Sequence, residues 1–160
     1  YIGSAVVARR LPAAMRITVV ERAPFAILRS GYEAAVVDRS LRVLEPASDQ
    51  QLAELVIRPG ANLVPGGYVK TREAFELRSA YDAVASSRIV PVELSLDRFG
   101  GLIVTTRGGL KLLLGTENDL ESKLTLADAI LAQVVTRQRR VAAIDLRAPA
   151  APVLVYGASR

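Results

Sequence analysis

With 160 residues, 51% of them hydrophobic, the chain is long enough for one domain of ordinary size, or one domain plus a fragment, with a core that needs no covalent staples. It contains no cysteine and no histidine, which removes disulfides, thiolate nucleophiles and imidazole bases and leaves zinc with carboxylates alone. The net charge of +5, mostly scattered arginine, weakly favours acidic partners, anionic surfaces or nucleic acid, although a solvated face with helix-end charges accounts for it as simply.

In chain order, YIGSAVVARR already reads as the inside of a strand, so a preceding segment is expected, and any anchor would lie there. No apolar run approaches the ~18–20 residues that cross a bilayer, and no signal peptide is visible. AVVARRLPAAMRITVV predicts two strands joined by a turn at Leu11-Pro12, with Ile17 and Val19 on one face. Pro24, lacking an N–H, interrupts the ladder. AAVVDRSLRVL predicts a hairpin, Ala35 to Val37 and Leu41 to Leu44, turning at Asp38-Arg39-Ser40. A polar link leads to a short strand in LVIR and loops rich in Pro and Gly.

A helix is expected from Thr71 to Ser86, capped by Thr71, with Phe75, Leu77, Ala80, Tyr81 and Val84 as its apolar stripe. VPVELSLD alternates Val92, Leu94 and Leu96 against Glu93, Ser95 and Asp97, the pattern of a half-buried strand. GLIVTTRGGLKLLLG predicts a hairpin turning at Arg107-Gly108-Gly109. A second helix is expected from about Glu117 to Thr136, with capping-box spacing at Asn118 and Glu121, a stripe of Leu120, Leu124, Ala127, Ile130, Leu131 and Val134, and Arg137, Arg139 and Arg140 at its end. The strand Val141 to Arg147 turns Ile144 and Leu146 inward and Asp145 and Arg147 outward. Hairpins dominate and two helices lie on the sheet, so the expected class is α+β with a mostly antiparallel sheet.

Convergent catalytic groups are hard to find. Glu93 and Asp97 share a strand face, which is also the routine place for exposed carboxylates. The serines have no histidine, and the lysines, Lys70, Lys111 and Lys123, sit in no recognisable nucleophile motif. GGLIVTTRGG and PGGYVKT lack the spacing of a phosphate loop. Five tyrosines, three phenylalanines and no tryptophan give no aromatic and basic face for nucleic acid. A binder using Arg137, Arg139 and Arg140 is the alternative there. On these grounds no enzyme activity, cofactor or metal is expected, and interaction surface is what the sequence offers.

The end of the chain carries the strongest lead. Pro149 and Pro152 bar residues 148–152 from a central strand. Val153, Leu154, Val155 and Tyr156 then recover full pairing capacity and high β propensity. Either this piece completes the core or it is an edge strand that accepts another chain's backbone. Four added residues would gain ~0.5–1.5 kcal/mol per hydrogen bond against ~1–2 kcal/mol per ordered residue. The ladder thus roughly breaks even, and side chains must supply the surplus.

Several segments together resemble the FtsQ/DivIB family of bacterial cell-division proteins: LPAAMRITVVERAPFAIL, VVDRSLRVL, GGLKLLLGTENDLESKL and VAAIDLRAP. Val20, Glu21, Arg22, Pro24 and Ala26 match the family's V-x-E-R-x-P-x-A, and Val37 and Asp38 its V-D hairpin. Leu112, Leu114, Gly115, Lys123 and Leu124 match the glycine-ended strand and K-L helix; Asp145, Leu146 and Arg147 match the terminal D-L-R. The resemblance implies a non-enzymatic divisome protein with a single transmembrane helix, a POTRA domain and a β domain, lying outside the cytoplasmic membrane at the septum. Residues 1–22 would be the last POTRA strands, 23–157 the β domain and 158–160 a tail. It also implies that the last strand docks FtsB, or DivIC in some lineages, coupled to FtsL, and so helps regulate septal peptidoglycan synthesis. Arg147 falls on an arginine that pairs with an acidic residue of that partner, and Arg98 lies near, not on, a second. The sequence departs from the family after D-L-R, where Ala148 to Pro152 stand, so the expected partner-binding set is Arg147, Val153, Leu154, Val155, Tyr156 and Arg98. A different POTRA-bearing protein, of polypeptide transport or outer-membrane assembly, is the alternative.

Overall fold

The computed structural model describes residues 1–10, 14–116, 118–136 and 141–157. The expected turn at Leu11-Pro12, the helix start at Glu117, the cluster Arg137, Arg139 and Arg140, and the tail 158–160 lie outside the described residues. The strands β1 (Ile2–Arg10) and β2 (Ala14–Glu21) form a separate antiparallel ribbon, with Val7 opposite Ile17 and Ala5 opposite Val19. Both faces are exposed, including Val6, Val7, Met15, Ile17, Val19 and Val20. A two-stranded ribbon alone is marginal in water, so its tether matters. Arg22, just past β2, donates from Nη1 to Asp38 Oδ2 at 2.6 Å.

The rest is one nine-stranded sheet with two helices. Its elements are β3 (Ala26–Ser30), β4 (Glu33–Val37), β5 (Val43–Pro46), β6 (Glu54–Ile57), α1 (Arg72–Ala85), β7 (Pro91–Leu96), β8 (Leu102–Thr106), β9 (Lys111–Gly115), α2 (Leu120–Thr136), β10 (Val141–Asp145) and β11 (Val153–Tyr156). Across the sheet the order is β11-β10-β9-β8-β7-β6-β3-β4-β5. Five of the joins are antiparallel, and β3–β6, β6–β7 and β9–β10 are parallel. The class is therefore α+β and mostly antiparallel, as expected. Two of the parallel joins follow from the helices: a helix is long enough to carry the chain back to the same end, so β6–α1–β7 and β9–α2–β10 pair in parallel.

One transverse row defines the core. Ala35, Leu28, Leu55, Leu94, Val104, Leu112 and Ile144 stand side by side across β4, β3, β6, β7, β8, β9 and β10, all 0–1% exposed, and Leu154 of β11 ends the row. Against this core pack Ala74, Leu77, Ala80 and Val84 of α1 and Leu124 and Ala127 of α2.

Thr71 caps α1 as expected, its Oγ1 accepting from the Ala74 N–H. Phe75, placed in the buried stripe by its spacing, is 42% exposed, and Ala74 is buried instead. α2 begins at Leu120, after Asp119 in the left-handed region at φ 59°, one residue too late for an Asn118–Glu121 box. The sequence reading gave β3 no strand of its own; it is the fully paired strand between β4 and β6. The β4–β5 turn places its left-handed residue at Leu41, φ 60°, whose side chain is wholly buried.

Candidate functional site

The two ends of the large sheet are built differently. At the β5 end, the loop after β6 folds over the outer side: Val43 N donates to Gly67 O at 2.9 Å, and Gly66 N donates to Val43 O at 2.8 Å. A bridge joins Arg42 to Tyr68, and Pro46 at the end of β5 has no N–H. That edge is sealed. At the other end β11 pairs antiparallel with β10, Val153 opposite Asp145, Leu154 opposite Ile144 and Val155 opposite Ala143. No strand among the described residues lies on its outer side.

β11 is the last strand of the sheet, and its expected site residues divide between the two faces. Leu154 turns to the helix side and extends the core row, half-buried. Val153 and Val155 turn to the opposite face and are 56% and 50% exposed. Tyr156, on the helix side, is about half exposed. Pro149 and Pro152 lie in the connection between β10 and β11, where Ala151 N donates to Ala148 O at 3.0 Å in a turn. The prolines thus fold the chain back and leave the ladder of β11 intact.

Arg147 lies just past β10 at the end of the sheet where β11 begins. Its backbone N–H donates to Asp145 Oδ1 at 3.0 Å, Nε donates to the same carboxylate, and Nη2 donates to Oδ2 at 2.5 Å. Residues two apart on a strand share a face, which is why this fork closes locally. Hydrogen bonds from Arg147 outweigh burial and hold the Asp145 carboxyl below its ordinary value. The Arg147 stem lies on Gly115, whose φ is +69°; a Cβ there would come within 3.1 Å of Arg147 Cγ.

Arg98 is at the same end of the sheet, in the β7–β8 turn, with its guanidinium 4.6 Å from the Phe99 ring centroid. The turn is held by Asp97, whose Oδ1 accepts from Phe99 N and Gly101 N, both at 2.8 Å. These N–H groups, first Gly101 and then Phe99, keep the Asp97 carboxyl below its ordinary value, with Arg147 and Arg98 adding to the effect. A cavity of about 510 Å³ opens beside the turn, lined in part by Arg58, Arg72, Arg98, Phe99, Gly115 and Thr116. Gly115 thus borders both this cavity and Arg147.

Three features escaped the sequence reading. Asp145 is read from the sequence as outward-facing and as part of D-L-R, not as the partner of Arg147, although opposite charges at i and i+2 of a strand were the available signal. Lys123 is 4% exposed, and its Nζ donates to Leu114 O at 2.8 Å and Thr116 O at 3.1 Å, pinning α2 to the end of β9. The seal on β5 had no sequence signal beyond Pro46 and the glycine pair. Glu93, weighed as half of a carboxylate pair with Asp97, lies mid-strand opposite Glu54 and Thr105, whereas Asp97 serves the turn, so the two do not converge.

Among known families, the one described as cell division protein FtsQ/DivIB, C-terminal, matches residues 26–147. No curated protein matches the chain. The family match opens at the first residue of β3 and closes on Arg147, so it takes in the sheet from β5 to β10 with both helices.

Proposed function

The chain belongs to the FtsQ/DivIB family of cell-division proteins, and on that premise we propose that it is a non-enzymatic interaction module of the divisome that takes a strand of another protein onto the outer side of β11. The observation that carries this reading is the asymmetry of the sheet: the β5 edge is closed by its own loop, and no strand among the described residues lies beside the β11 edge. Proteins ordinarily blunt an edge that has no use, and a strand added there gains backbone hydrogen bonds with side-chain pockets for selectivity.

The partner in this reading is FtsB, or DivIC, coupled to FtsL, with Val153, Leu154, Val155 and Tyr156 as the ladder and Arg147 and Arg98 as flanking cations. The site would lie outside the cytoplasmic membrane at the septum, where docking helps regulate peptidoglycan synthesis. No helix among the described residues is long and apolar enough to cross a membrane, so anchoring would belong to a segment other than these. The β1–β2 ribbon, residues 1–22 with Arg22, would be the end of a POTRA domain, whose other parts would cover Ala5, Val7, Met15, Ile17 and Val19; residues 23–157 would be the β domain.

Removing Val153–Tyr156 is expected to abolish capture of the FtsB/DivIC-type partner in a pull-down while far-UV circular dichroism and the melting transition persist, since only Leu154 joins the core row. Unchanged affinity of the truncated chain would refute the reading. Arg147→Glu is expected to weaken binding and flatten its salt dependence.

A further inference from the structure

Arg147 enters the proposed contact already paired. Its Nε and Nη2 are taken by Asp145 on the same strand face, and Nη1 has no part in that fork. The arginine side chain is 56% exposed and the carboxylate 22%, so the acid lies beneath and the cation faces outward. The stem is seated on Gly115, and Val153, the first residue of the open edge, stands directly opposite Asp145. Asp97 also feels Arg147. An acidic group arriving at this corner therefore meets an arginine whose charge is already masked.

We propose that Asp145 is a specificity-determining residue: it holds the Arg147 fork in its outward pose and screens its charge, so that an acidic side chain of the incoming strand is accepted only where it can displace Asp145 at the start of β11. This rests on the edge-docking reading above. The exchange of one carboxylate for another gives little net affinity, because one charge-assisted fork is broken for each one made. It does fix position: the displacing acid has to stand beside Val153, which sets the register of a ladder that is otherwise free to slip by two residues. The partner this corner fits is an extended segment with a carboxylate at one defined step, and acidic peptides without that spacing are turned away.

The test titrates the wild-type chain, Asp145→Asn, Arg147→Ala and the double variant with the extracytoplasmic segment of the FtsB/DivIC-type protein encoded in the same genome, at low and high salt. Asp145→Asn is expected to bind ~3–10-fold more tightly, with a steeper salt dependence, and the gain is expected to vanish in the Arg147→Ala background. Asp145→Ser gives a second neutral variant with a different shape, so a packing defect peculiar to Asn shows as a difference between the two. Binding that is unchanged or weaker in both neutral variants overturns the proposal, and so does a gain that persists without Arg147, which would be a general charge effect. If the wild-type chain fails to bind the segment, the docking reading itself falls and the Asp145 role with it. If it binds and the cycle shows no coupling, the Asp145 role alone falls.

Discussion

Asp38 shows how much one side chain can organise. It is 5% exposed and accepts from Ser40 N at 2.8 Å, Ser40 Oγ at 2.6 Å, Arg42 N at 3.0 Å and Arg22 Nη1 at 2.6 Å. Burial pushes its carboxyl up, but the Ser40 hydroxyl, Arg22 and the two backbone N–H groups together pull it below its ordinary value. A carboxyl depressed in the folded state contributes stability above its unfolded-state pKa and loses it as the pH falls through the folded value. Asp38→Asn is therefore expected to cost ~2–3 kcal/mol at pH 7, and the gap to wild type should narrow below about pH 4, as read by urea melts between pH 7 and pH 3. At Gly115, substitution by Ala forces a left-handed conformation costing ~1–2 kcal/mol and displaces the Arg147 stem, so it should lower the melting point and weaken partner binding together. The sequence marked Asp38 as a turn residue and Gly115 as a motif glycine. It did not reveal that one turn acid is buried against an arginine sixteen residues earlier, because that contact exists only once β3 and β4 have paired.

Elements were legible where one period ruled. α1 was read with its cap because Thr71 precedes an apolar stripe, and the β8–β9 hairpin because two apolar runs flank Gly108 and Gly109. The errors fall where spacing alone cannot choose. Phe75 and Ala74 are neighbours on one helix, and the close approach of α1 to β6 and β7 selects the smaller residue for the interior. β3 was hidden because Pro24 appeared to close the strand region, whereas a new strand of the other sheet begins at Ala26. Lys123 belongs to this scale as well. Its ammonium replaces lost water with two carbonyls at the end of β9, so Lys123→Met, which keeps the stem and removes both bonds, is expected to destabilise the fold by ~2 kcal/mol. A melting point lower by roughly 4–8 °C is the corresponding observation. Because Leu114 and Thr116 flank Gly115, the same variant should loosen the Arg147 corner.

In the whole molecule the ribbon and the sheet differ in how they are held. The sheet has a continuous buried row, whereas β1 and β2 are exposed on both faces and reach the sheet through Arg22. Ribbon amides are expected to exchange with solvent at least ~100-fold faster than those of β3 and β8. Arg22→Ala should accelerate the ribbon further while leaving the sheet unchanged, and equal protection in both parts would show that the tether does not act alone. The chain order of strands and helices could be read from residues. The lateral order of nine strands could not, since it depends on which edges meet after helices carry the chain across. That lateral order has a last consequence. Because Gly66, Gly67 and Pro46 close one flank, two copies meeting at their receptive flanks would exhaust each other, and an endless fibre of stacked sheets has no second surface on which to grow.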